Sequence, residues 1–196
     1  MTAGRIAGIL LAAGESKRLG SLKQLLIWNG RPLVEQAART ALEAGLDPVV
    51  AVIGCRADEV RAAIRAPVSV VENPRWPDGL STSLRAGLRA LPPDVDAAIM
   101  LPVDQPRLSA NHLRALVTAY RASGKPIAGS NSRGRRASPT LFDRSLFDQL
   151  LQVTGDVGGR PVMDANPQWV EAIEAEDELE LMDVDTLDDW QRILDG

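Results

Sequence analysis

The sequence predicts an α/β chain with a mostly parallel central sheet and helices on both faces. Three observations lead there. Short apolar runs near residues 6–11, 48–53, 68–71 and 97–103 alternate with segments whose apolar residues recur at helical spacing, and strand–helix–strand alternation marks a parallel sheet. The first run closes on small residues, Ala12-Ala13-Gly14, before a polar loop. The fourth run closes on an acid, Asp104, at the edge where open α/β sheets place their ligands.

One domain, residues 1–196, is the expectation at this length. A chain of this size buries about 70% of its unfolded surface and needs no covalent staple. Aromatic residues make up only 4%, so the core falls to Ala, Leu, Val and Ile. A net charge of −4 argues against a general nucleic-acid binder. It leaves room for anionic small molecules, because a local basic loop can focus the field. Cys55 is the only cysteine, which excludes an internal disulfide and fits a reducing, cytoplasmic compartment. The run after Arg5 is short for the core of a signal peptide and meets a charged loop at once. No other apolar run approaches membrane-spanning length.

Ile6 to Leu11 reads as a buried strand. In the loop after it, Arg18 and Lys23 stand five positions apart. Two readings are open. The segment is an ordinary strand-to-loop junction with solvated cations, or it is a polyphosphate cradle in which small residues admit the ligand and two cations hold it. It matches neither a Walker loop nor the three-glycine dinucleotide fingerprint, so no hydride-transfer cofactor is indicated.

Arg31-Pro32 starts the first predicted helix, with Leu33, Val34, Ala37, Ala38, Ala41 and Leu42 on one face and Gly45 at its end. Pro48 to Ile53 is a strand, Ala57 to Arg65 a short helix and Val68 to Val71 a strand. A turn-rich loop leads to Gly79, and a helix opens there and runs through Leu91. Ser81, Thr82 and Ser83 crowd its first turn; capping accounts for one hydroxyl and leaves the others for a ligand. Ala97 to Val103 is the fourth strand, and Asp104 is either a turn aspartate before Pro106 or a ligand-binding acid. Ser109 caps the next helix. His112, in its first turn, is expected to be solvated and without a partner.

Pro126 to Ala128 starts a fifth strand. Arg133, Arg135 and Arg136 follow, either a solvated basic turn or a grip on an anionic substrate. Trp169 to Ile173 reads as a late strand and Glu171 to Glu180 as a solvated acidic surface. Thr186 and Asp189 form a capping-box-like pair at the last helix, which leaves Asp183 and Asp185 unexplained.

Five blocks in this order resemble the MobA-like NTP transferases, in particular the molybdenum cofactor cytidylyltransferase branch. They are Leu11-Ala12-Ala13-Gly14-x-Ser16-x-Arg18-Leu19-Gly20-x-x-Lys23, the stretch from Asn73-Pro74 to Gly87-Leu88, Asp104-Gln105-Pro106, Gly155-Asp156-Val157-Gly158-Gly159-Arg160, and Asp183-Val184-Asp185-Thr186. Two positions depart from the pattern: Ala137 stands where the family has a second glycine, and Gly159 where it has alanine.

The resemblance implies a three-layer Rossmann-like nucleotidyltransferase fold. It also implies transfer of CMP from CTP to the phosphate of a molybdopterin-type molybdenum cofactor, with release of pyrophosphate. Lys23, Arg18 and Asp104 would then be catalytic. Leu11, Ala12, Ala13, Gly14, Arg18, Lys23, Gly79, Ser81 and Ser83 would meet the nucleotide. Asp104 and Asp185 would hold Mg²⁺, with Asp185 arriving from the last helix. Arg133, Arg135 and Arg160 would face the acceptor. The family's guanylyl branch carries Leu-Ala-Gly-Gly in the opening loop, so Ala13 favours CTP. Use of GTP, a sugar or alditol phosphate acceptor, and a non-catalytic cofactor chaperone stay open as alternatives, as does transient contact with a molybdoenzyme.

Overall fold

Eight residues, Arg5–Ala12, form β1, and most of them are buried. A strand apolar on both faces must be covered on both, and β1 lies inside the sheet. It pairs in parallel with β4, Val49–Ile53, on one side and β6, Val95–Pro102, on the other. The computed structural model describes residues 4–16 and 19–195.

Beyond β4 lies β5, Ser69–Glu72; beyond β6 come β8, Arg135–Asp143, β7, Ile127–Ser132, and β9, Val170–Glu174. The seven-stranded order is β5-β4-β1-β6-β8-β7-β9. Of these strands β8 alone runs against its neighbours. Alternate residues of β1 serve opposite cores, as a pleated strand requires. Ile6, Leu10 and Ala12 pack with α1, Leu33–Glu43, α2, Ala57–Ala63, and α4, Ala110–Ser123, through Val34, Val60 and Leu113. Ala7 and Ile9 pack with α3, Leu80–Arg89, α5, Phe147–Gln152, and α6, Arg160–Ala165, through Leu84, Leu150 and Val162. Three layers result.

Four expectations need correction. Arg31-Pro32 stands just before the helix it was expected to start, since α1 begins at Leu33 with Pro32 as its N-cap. The dipeptide forms β3, which pairs with β2, Ile27–Trp28, across Asn29-Gly30. Both turn residues have positive φ, 48° and 76°, the backbone of a two-residue type I′ hairpin. The basic segment after β7 is likewise a hairpin, turned at Arg133 and Gly134 with φ of 52° and 71°. The last helix, α7, spans Leu187–Asp195, so Asp185 comes from the segment before it.

The fourth concerns His112, which is only 5% exposed. Its Nε2 lies 2.8 Å from Ser130 Oγ, whose hydrogen goes to the Pro139 carbonyl at 2.6 Å, so Nε2 is the donor. Glu180, at the end of the acidic run, is also drawn inside, where its Oε1 accepts the Ser109 hydroxyl at 2.5 Å. The rest of that run is half-buried to exposed.

Candidate active site

The carboxyl ends of β1 and β6 open onto a cavity of about 610 Å³, walled by the loop after β1, the start of α3, β8 and the segment carrying Asp183 and Asp185. The first loop is braced from beneath. Gln24, almost fully buried, donates its amide to the carbonyls of Ala12 at 3.0 Å and Gly14 at 2.7 Å, and the Ala13 carbonyl accepts from Cys55 N–H at 3.0 Å. Engaging these carbonyls keeps their lone pairs from an anion, which backbone N–H donors would hold. Leu11, Ala13 and Gly14 reach the cavity wall; Ala12 stays buried beside it.

The loop closes on itself where Ser16 Oγ accepts the Lys23 N–H at 3.1 Å. Lys23 opens a single 3₁₀ turn, Lys23–Leu25, which sends its side chain into the cavity. Its Nζ lies 3.0 Å from Asp104 Oδ2 and is ion-paired with Asp185. Burial works against the lysine charge, but the carboxylates of Asp104 and Asp185 outweigh it and hold the pKa above the ordinary lysine value. Asp104 Oδ1 is buried without a hydrogen-bond partner among the described residues.

The segment before α7 is tied to β6 at several points. Val184 N–H donates to the Asp104 carbonyl at 2.8 Å. Gln105 Nε2 faces the carbonyls of Ser138 and Leu181, at 3.0 and 3.1 Å, and Asp183 Oδ1 at 2.9 Å. Asp189 Oδ2 accepts the N–H groups of Asp185 and Thr186, at 3.2 and 2.9 Å, while Thr186 Oγ1 accepts Asp189 N–H at 3.1 Å. This is a reciprocal cap, and it fixes the backbone of Asp185. Asp183 also lines the cavity. Enclosure there and then the charge of Asp104 push its carboxyl pKa up, though its open side tempers the shift.

At α3 the three hydroxyls divide their labour. Asn73 Nδ2 donates to Thr82 Oγ1 at 2.8 Å and Ser83 Oγ at 3.0 Å. Thr82 then gives its hydrogen to the Arg75 and Gly79 carbonyls, both at 2.9 Å. Ser83 sits on the cavity wall; having accepted from Asn73, it can donate to a ligand. Ser81 is buried and off that wall. Gly79 serves the backbone. Its φ is 105°, and a Cβ there would lie 2.6 Å from the Gly155 carbonyl. The N-terminus of α3 is covered, because Leu80 N–H donates to Asp156 Oδ1 at 3.1 Å.

Of the described arginines, Arg160, at the start of α6, and Arg136, on β8, line the cavity. Arg136 is paired with Asp164. Arg133 and Arg135 are exposed at the hairpin end and stand off the wall, with Arg133 paired to Glu178. Leu84, Met100, Phe142 and Met163 give the cavity an apolar floor. Gly159 is required by that floor, since a Cβ would meet the Phe142 ring at 2.3 Å. Arg18 lies outside the described residues.

The aspartates suit a hard divalent ion that keeps phosphate and water ligands, which needs one or two carboxylates and no full cage. The unpartnered Asp104 oxygen fits that use. Among the described residues no group of three or more His, Cys, Asp or Glu gathers for a metal. Sequence reasoning gave no individual role to Gln24, Asn73 or Gln105, whose side-chain amide nitrogens reach their partners only in the folded chain.

The MobA-like NTP transferase domain family matches residues 8–171. Among curated proteins, nicotine blue oxidoreductase of Paenarthrobacter nicotinovorans is 36% identical, covering 96% of both chains. Molybdenum cofactor cytidylyltransferase of Escherichia coli K12 is 25% identical over 93% of this chain and 92% of its own. Purine catabolism protein PucB of Bacillus subtilis is 30% identical over 96% and 95%. The crystal structure of Rv0371c from Mycobacterium tuberculosis H37Rv superposes with a TM-score of 0.87 at 29% identity, over the whole of both chains. That protein was also solved in complex with manganese.

Proposed function

This chain belongs to the MobA-like NTP transferase family, and from that premise we propose that it transfers CMP from CTP to the phosphate of a molybdopterin-type molybdenum cofactor. The observation that carries the reading is the convergence of Lys23, Asp104 and Asp185 beneath the small-residue loop.

In this reaction an oxygen of the acceptor phosphate forms a bond to the α-phosphorus. The bond to the bridging oxygen breaks, and pyrophosphate leaves with the electron pair. A phosphate monoester has a second pKa near 6 and is mostly dianionic at neutral pH, so no general base is needed. Charge neutralisation and alignment remain as the protein's tasks. Lys23 and Arg18 hold the triphosphate, and the donors of the first loop align it. Asp104 and Asp185 are the residues that would hold Mg²⁺, which would offset the phosphate charge. Ser83 offers its hydrogen to an acceptor on the base or ribose, and the Ala13 methyl narrows the space beside the base in favour of CTP over the larger purine. Arg160 and Arg136 hold the acceptor phosphate, and the apolar floor takes its flat ring system. A cytoplasmic location belongs to the same reading, resting on the single Cys55. No helix of the described residues is long and apolar enough to cross a membrane.

The 36% identity to an oxidoreductase favours a second reading, in which the same cleft reduces a heterocyclic compound. One experiment separates the two. The protein is incubated with CTP or GTP, Mg²⁺ and purified cofactor, with pyrophosphate and product masses as readout, and in parallel with NADH or NADPH and an oxidised heterocyclic dye as electron acceptor. A cytosine dinucleotide product supports the proposal. A guanine product moves the assignment to the guanylyl branch. Absence of pyrophosphate, together with nicotinamide oxidation, replaces it by the redox reading.

A further inference from the structure

The two carboxylates read as ion ligands already hold a cation that belongs to the chain. Lys23 Nζ is 3.0 Å from Asp104 Oδ2 and also paired with Asp185, and its side chain is only 14% exposed. The ammonium therefore sits between the two acids, at the place a shared ion would take. It satisfies one oxygen of Asp104 and leaves the other, Oδ1, buried and unpartnered among the described residues. An ammonium that donates hydrogen bonds cannot share this position with a dication held about 2.1 Å from the same carboxylates. Their like charges would also repel at short range in a partly desolvated cleft. For the metal to enter, Lys23 must leave.

Resting on the reading of Asp104 and Asp185 as ion ligands, we propose that Lys23 is a built-in counter-cation that keeps bare divalent metal off this pair, so that the site's ligand is the metal–nucleoside triphosphate complex. Three features carry the argument. The Lys23 backbone is fixed, its N–H given to Ser16 Oγ at 3.1 Å, so the displacement is a swing of a flexible side chain. The phosphates supply the new partner that Lys23 needs once it leaves the acids, because Lys23 and the first loop line the same cavity. The same phosphates complete the coordination of an ion that two carboxylates alone hold weakly. Without nucleotide, displacing Lys23 strands its charge; with nucleotide, the lysine and the acids are both satisfied. Metal and nucleotide then raise each other's affinity by the same factor, as linkage requires.

The test uses Mn²⁺ as the probe, its bound fraction read by electron paramagnetic resonance, with and without the non-hydrolysable analogue α,β-methylene-CTP. Wild type, Lys23→Met, Lys23→Gln, Lys23→Arg and Asp104→Asn are compared, each checked by circular dichroism. The proposal expects wild type and Lys23→Arg to bind free Mn²⁺ weakly. Either neutral variant should bind it at least about tenfold more tightly. Adding the analogue should raise wild-type Mn²⁺ affinity by a larger factor than that of the neutral variants. Free Mn²⁺ affinity that is unchanged or lower in both Lys23→Met and Lys23→Gln overturns the counter-cation role. A different result marks failure of the underlying reading: Asp104→Asn binding Mn²⁺ with the analogue as tightly as wild type would show that the pair is not the ion site.

Discussion

Val184 N–H donates to the carbonyl of Asp104 at 2.8 Å, so the two aspartates that flank Lys23 are held in one backbone-to-backbone frame. Asp104 lies two residues past β6, a central strand whose position is fixed by burial on both faces. Asp185 comes from a late segment anchored by the buried side chains of Leu181 and Val184, and its place also depends on polar ties: Val184 to Asp104, Gln105 to Leu181, and the Thr186–Asp189 cap. The site therefore joins a rigid half to a tethered half.

Asp104→Asn should leave the fold intact and lower turnover by about 10²–10³, the range for removing one charge-stabilising group from a preorganised site. Asparagine preserves shape and suits a turn, so a merely structural aspartate would tolerate it. Pyrophosphate release at saturating CTP and metal, beside a thermal melt, decides. Near-normal turnover would remove Asp104 from the chemistry.

Gln105→Leu should loosen the tethered half without touching a substrate. Its amide bonds to the Ser138 and Leu181 carbonyls vanish, leaving polar groups short of partners at about 1–3 kcal/mol. The melting temperature should fall by several degrees, and the metal concentration for half-maximal rate should rise more than the KM for CTP. An equal rise in both would show that Gln105 does not act through Asp185.

The buried strands and Asp104 were legible in the sequence because burial on both faces writes a continuous apolar run and the acid stands at its end. The Asn29-Gly30 hairpin was missed, although that dipeptide is a strong hairpin signal. Its strands of two residues each show no alternation, and Pro32 reads as a helix start. The Arg133-Gly134 turn gave no such signal, because arginine seldom adopts positive φ. His112 lies four before Leu116 on the inward face of α4, a spacing that outweighs its polarity. Gln24 carried no pattern, and Asn73, though it opens one of the five family blocks, showed only a turn residue before Pro74; their amide nitrogens reach carbonyls and hydroxyls that the fold brings near.

The two hairpin arginines and Arg160 make a paired test on the acceptor side. Arg160→Ala should raise the acceptor KM by about tenfold or more, the loss of one charge-assisted contact, and leave the CTP KM nearly unchanged. Arg135→Ala and Arg133→Ala should change neither, since both side chains stand off the cavity. An acceptor KM that responds to Arg135 and not to Arg160 would move the acceptor onto the hairpin.

His112 should make folding stability depend on pH. Burial holds its pKa below the ordinary histidine value, and the opposing charges of Glu180 and Glu176 only partly offset this. The unfolded chain takes up its proton near pH 6.5, the folded chain only at lower pH. Above about 6.5 neither state is protonated and the contribution is complete. As pH falls through 6.5 the unfolded state alone gains a proton, and stability drops until the depressed folded value is reached. In the neutral folded form Nε2 carries the hydrogen given to Ser130, and Nδ1, without one, lies 3.9 Å from Glu180 Oε2. His112→Gln removes the titration and keeps an amide donor on the side chain. Urea midpoints of wild type should therefore decline more steeply than those of His112→Gln between pH 7.5 and 5. Carboxylate titrations common to both proteins cancel in that comparison, so parallel curves would show that His112 titrates alike in the folded and unfolded chains.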